Sequence, residues 1–170
     1  MDILRLTSPP PQGSIATFDS VVISDEWLGD CHVDYLVPDG SGDTNEWLGS
    51  DGNSVDNYLL VNEVPPSGVQ FVEADGEDLL DLYTVTNLPA SGEILAVEQV
   101  ISAWKAGPNP QFPLNYVLKT PGGTAKLEGP DLIATMQNYT GGIKLLNPEG
   151  NPWSVADINS LQIGVTSEAL

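Results

Sequence analysis

The chain has 170 residues, 24 of them acidic and 5 basic, for a formal net charge of -19. Nucleic-acid binding and recruitment to anionic membranes both need a basic face, and this composition does not supply one. A hydrophobic fraction of 41% is enough for a core, so the acidity does not imply disorder, and the length fits one domain. The charge is also unevenly placed: no Lys or Arg lies between Arg5 and Lys105, and 18 of the acids fall in that stretch. Such a surface is strongly solvated and repels copies of itself unless a basic partner or bound cations face it.

In chain order, the N-terminus has no sustained apolar segment, so neither a signal peptide nor a membrane span is expected, and synthesis in a cytoplasm follows. Pro9, Pro10 and Pro11 favour an extended, polyproline-like conformation, which makes residues 1–13 an arm suited to docking on another protein. Residues 14–170 read as one β-domain, with 17 Gly and 14 Pro punctuating short apolar runs. Strands are expected at 14–23 and at 31–37, where Val33, Tyr35 and Val37 alternate with His32, Asp34 and Leu36. Pro38-Asp39-Gly40 reads as a turn opening a long acidic loop, 39–57, of almost unbroken turn formers. An edge strand at 58–61 is expected next, then strands at 70–72 and 78–85, and a long central one at 94–104. Strands at 114–119, 132–139 and 142–146 follow the Pro/Gly-rich loop at 107–113. Ser154 and Asp157 stand at capping-box spacing, which predicts one helical turn at 154–159, locked to the core by Trp153 and Leu161. A last strand at 160–165 ends the series, and the whole suits a two-sheet antiparallel β-sandwich of jelly-roll type.

Four strings occur in order along residues 15–166: Gly29-Asp-Cys-His-Val-Asp34, Asp56-Asn-Tyr-Leu-Leu-Val-Asn-Glu-Val-Pro-Pro66, Asp81-Leu-Tyr83 with Leu88-Pro89, and Pro152-Trp-Ser-Val-Ala-Asp-Ile-Asn-Ser-Leu-Gln-Ile-Gly-Val165. As a set they resemble a group of phage-encoded virion structural proteins. The resemblance implies a jelly-roll module, similar in outline to concanavalin-like lectin domains, built into a tailed-phage particle. Members of that group often carry several Arg or Lys on the strand corresponding to 97–106, where this chain keeps Lys105 alone.

The inventory of reactive residues is sparse. Cys31 is the single cysteine, so an internal disulfide and a Cys-based zinc site are excluded. His32 is the single histidine, which rules out a two-histidine metal site. No Gly-x-Ser-x-Gly elbow accompanies it, and Cys31 next to it would face the other side of a strand. Asp81 beside Tyr83 and Glu98 on the strand of Trp104 are the acids that a paired-carboxylate glycosidase would need. Asp39, Asp43, Glu46 and Asp51 crowd a glycine-rich stretch and are calcium candidates by ligand type. EF-hand spacing fails there, with Thr44 where Gly is required and Ser50 where Glu is required. Trp27 and Trp47 sit in matching Glu-Trp-Leu-Gly strings. Trp104 and Trp153 read as core residues, whereas Trp47, within the long loop, is a candidate partner contact along with Pro9, Pro10 and Pro11. The sequence therefore leads to a non-enzymatic, homo-oligomeric virion component, an exterior tail, fibre or baseplate-associated protein joined to other virion proteins through its arm. A capsid decoration protein and a carbohydrate-binding module or glycosidase acting on host-surface glycans are the alternatives.

Overall fold

A computed structural model describes residues 33–88, 92–106 and 113–168. The chain divides into two units, Met1–Tyr35 and Leu36–Leu170, and every element below belongs to the second. Pro9, Pro10, Pro11, Trp27, Cys31, His32 and the expected strand at 14–23 lie outside the described residues. In chain order the elements are β1 (Pro38–Asn45), β2 (Leu48–Gly49), a 3-10 turn (Asn57–Leu60), β3 (Val72–Glu73), β4 (Leu80–Val85), β5 (Val100–Ala103), β6 (Leu114–Thr120), β7 (Gly123–Glu128), β8 (Gln137–Thr140), α1 (Val155–Asn159) and β9 (Gln162–Ser167). The fold is all-β with antiparallel sheets and one short helix, as the sequence leads one to expect. Among the described residues no helix is long and apolar enough to cross a membrane.

The main sheet has five strands in the order β1-β4-β9-β6-β7, while β2-β3 and β5-β8 form two-stranded sheets. Register sets which side chains share a face. Tyr83 pairs with Ile163 and Ile163 with Leu118, while Asp81 pairs with Val165 and Val165 with Tyr116, so all six line the same side. Val85, Leu118, Trp153, Ile158 and Leu161 form the core cluster on it, with Leu36, Leu88, Ile94, Val97, Leu127 and Ile163 packed around them. Residues that flank the β5-β8 pair reach the main sheet at β9 and β6. Gln99 donates to the Gly164 carbonyl at 2.7 Å, and a Cβ on Gly141 would stand 3.3 Å from the Tyr116 ring.

Helix α1 begins where the sequence places it. The Ser154 side chain accepts from the Asp157 N–H, and the Asp157 carboxylate accepts from the Ser154 N–H in return. The two bonds satisfy donors that the first helical turn leaves open. Trp153 and Leu161 flank the helix and are buried, the anchoring expected of them.

Several expected elements differ from those observed. Residues 33–37 form no strand; pairing starts at Pro38, where a turn is expected, and β1 runs on through Asp-Gly-Ser-Gly-Asp-Thr-Asn, the first part of the expected acidic loop. As an edge strand it tolerates Pro38 at its first position, and its register against β4 is interrupted twice. Gly42 permits the close approach, because a Cβ there would lie 2.7 Å from the Leu82 backbone. The expected edge strand at 58–61 is instead the 3-10 turn Asn57–Leu60. The long strand at 94–104 shrinks to β5, with Val97 bridging Lys144 in isolation. Of 132–139 only Gln137–Tyr139 is extended, as part of β8, and 142–146 contributes only isolated bridges at Lys144 and Leu146.

Candidate functional site

The four acids singled out for calcium do not converge. Asp39 and Asp43 stand on the outer side of β1, where Asp39 accepts from the Thr84 hydroxyl at 2.8 Å and Asp43 pairs with the Lys119 ammonium at 2.6 Å. The bond from Lys119, then Gln162 and the Lys119 charge, hold the Asp43 carboxyl below the usual carboxylate range. Glu46 accepts the Leu80 N–H at 2.7 Å. Asp51 accepts from Asn53 through both the backbone N–H, at 3.2 Å, and the side-chain amide, at 2.8 Å. Among the described residues no group of three or more His, Cys, Asp or Glu side chains could hold a metal ion.

Trp47 also differs from expectation. It is 9% exposed, and its indole N–H donates to the Leu79 carbonyl at 3.1 Å, so it packs inward and leaves little surface for a partner. Its backbone carbonyl instead joins a polar cluster that the sequence reading only half detected. Asp81 and Asn57 are both fully buried. The Asp81 carboxylate accepts from the Asn45 amide at 3.1 Å, the Asn57 amide at 2.8 Å and the Tyr83 hydroxyl at 2.5 Å. Asn57 also donates to the Trp47 carbonyl at 2.9 Å, leaving its own Oδ1 unpaired. Position 57 is reached through Asp56, which sits at φ 59°, the left-handed region that Asp and Asn tolerate better than most residues.

Burial pushes the Asp81 pKa up, and it outweighs the lowering effect of bonds from Tyr83, Asn57, Asn45 and the Trp47 backbone. Tyr83 is driven well above its ordinary range, by burial first and then by the charge and hydrogen bond of Asp81, so it stays a proton donor. The cluster is closed: its donors are spent on each other and no atom of Asp81 reaches solvent. It fastens the 3-10 turn and the end of β1 to β4. Glu98, the other acid considered for catalysis, is exposed, and its charge bears on Tyr116 rather than on Asp81. Two signals in the sequence could have located the cluster: an Asp inside the apolar run 79–85, and a Tyr two residues on, which shares its strand face.

Two surface hollows are open to solvent. One, of about 390 Å³, is lined by Gly68, Trp104, Ala134, Thr135 and Met136. Trp104 stands there half-buried, edge-on to Phe71 with ring centroids 5.4 Å apart, so it is less enclosed than a core residue. The other, of about 570 Å³, runs beside the 3-10 turn and is lined by Asp51, Asn53, Val55, Asp56, Leu59 and Leu60, among others. In comparisons with known proteins, no family model, no curated protein and no solved structure matches the chain.

Proposed function

We propose that this protein is a non-enzymatic structural component of a tailed-phage particle, an exterior tail, fibre or baseplate module that attaches to other virion proteins. The observation that carries the reading is where the shared strings fall in the fold. Asn57 of the second string and Asp81 and Tyr83 of the third are bonded to one another inside the molecule. In the fourth, Trp153, Ile158 and Leu161 fill the core, Ser154 and Asp157 cap α1, and Gly164 allows β9 its close contact with β4. Catalytic residues would line a cleft, whereas these are spent on the framework, which supports a scaffold role. The outward acids of β1 and the Pro-rich segment at 9–11 add a solvated exterior and a means of attachment.

The test is to purify the particles by density gradient, identify their proteins by mass spectrometry, and locate this one by immunogold labelling. Presence at defined copy number with label on the tail is the expected result. Label spread over the shell would favour a decoration role instead, and absence from purified particles would overturn the assignment.

A further inference from the structure

We propose that the trough beside the 3-10 turn is a docking site for a basic peptide segment of a partner protein, one in which Lys or Arg alternates with aliphatic side chains. The proposal deepens the assembly reading and rests on it only for the partner's place in a particle.

The lining is both acidic and apolar. Asp51 and Asp56 contribute carboxylates, while Val55 and Leu59 turn 68% and 51% of their surface to solvent. Exposed aliphatic side chains standing next to one another at a concave surface mark an interaction site more often than isolated ones do. No base is among the residues that line the trough, and the sequence from Arg5 to Lys105 contains no Lys or Arg between them. A basic guest would satisfy this charge, and its aliphatic neighbours would cover Val55 and Leu59.

The walls are fixed before any partner arrives. Asn53 is held by Asp51 and in turn accepts the Val55 N–H at 2.7 Å, and the turn is pinned from below by Asn57, bonded to Asp81 and the Trp47 carbonyl. Leu60 packs so closely over Gly49 that a Cβ there would come within 2.6 Å of its Cδ1. A site already ordered loses little conformational freedom on binding. The hollow is open to solvent rather than enclosed, which suits a peptide segment laid over it better than a buried small molecule.

The test uses the full-length protein and two fluorescent probe peptides of equal charge, one alternating Lys with Leu, the other Lys with Ser. The Lys-Leu probe is expected to bind about tenfold tighter than the Lys-Ser probe. The double variant Asp51→Asn, Asp56→Asn should weaken it about tenfold, and Val55→Ser with Leu59→Ser about fivefold or more. Asn keeps the left-handed geometry at position 56, and thermal melts of all variants should match the parent. A control that also removes two exposed acids, Asp39→Asn with Asp131→Asn, should change affinity less than about twofold. Equal loss in the control would mean attraction to the surface as a whole and would overturn the proposal, as would failure of the Lys-Leu probe to bind. Light scattering covers the other occupant: self-association abolished by the Val55 and Leu59 substitutions would assign the trough to a second copy and also overturn it. Probe binding intact in a protein missing from purified particles would defeat the assembly reading alone.

Discussion

Asp81 is buried without a cation, and its surroundings compensate with hydrogen-bond donors from Asn45, Asn57 and Tyr83. Replacing it by Ala would leave the Tyr83 hydroxyl and part of two amides without acceptors. Such a deletion is expected to cost about 3 kcal/mol in urea denaturation. The pH dependence separates the burial cost from the benefit of those bonds. A carboxyl whose folded pKa lies above its unfolded one adds stability that is complete below the unfolded pKa and is lost as pH rises through the folded pKa. The stability gap between the parent and Asp81→Asn should therefore be widest below about pH 4 and shrink as pH rises above it. A gap that grows with pH would mean that the donors, not burial, dominate. Asp157 behaves in the opposite sense: bonds from the Ser154 side chain and backbone lower its pKa, so its share is present at neutral pH and is lost as pH falls through the carboxylate range. The sequence offered Asp81, beside Tyr83, as one of a carboxylate pair with Glu98 because it displays residue types, not the burial of Asp81 and Tyr83. Their enclosure depends on Asn45 and Asn57, which lie 36 and 24 positions away.

At the level of elements, α1 and β9 differ in what they depend on, and two substitutions show it. Ser154→Ala removes a local cap and should cost about 1 kcal/mol while leaving the fold intact. Gly164→Ala places a Cβ 1.9 Å from the Asp81 carbonyl, a backbone atom in the adjacent central strand that cannot move aside. That variant should lose about 3 kcal/mol or more and fall largely into the insoluble fraction. Soluble protein with an unchanged melting temperature would show that β4 and β9 can separate slightly at this point. The same contrast explains which elements were legible in the sequence. The helix cap and the apolar runs of β4, β6 and β9 carry their own signals. By contrast β1 is built from turn formers and is extended only because β4 offers it partners. The run at 94–104 is mostly apolar, yet only Val100–Ala103 finds a ladder, on β8. The reading passed over β7, although inward Gly123, Ala125 and Leu127 alternate there with outward Thr124, Lys126 and Glu128. Pro121 and Gly122 before it make the turn of the β6-β7 hairpin.

For the whole molecule the governing quantity is charge. Five bases cannot neutralise 24 acids, and Lys119 and Lys126 are each already engaged by one of them, Asp43 and Glu168. Compact packing thus works against net repulsion, which the unfolded chain relieves by expanding. Raising monovalent salt from ~20 mM to ~0.5 M shortens the screening length from ~20 Å to ~4 Å. Repulsion summed over many well-separated acids should be screened more than two short ion pairs are weakened. The melting temperature should accordingly climb by about 3–6 °C, the equivalent of ~1–2 kcal/mol for a chain of this size. A flat or falling curve would mean that the acids are already neutralised inside the fold. Calcium chloride at matched ionic strength tests the cation question on the same instrument. Because Asp39, Asp43, Glu46 and Asp51 each have a separate partner, calcium is expected to add nothing beyond screening. An extra rise, abolished in the triple variant Asp39→Asn, Asp43→Asn, Asp51→Asn, would show that these acids gather around the ion in solution. For a chain that docks the basic segment proposed above, the same salt that steadies the isolated protein should loosen its hold on that partner.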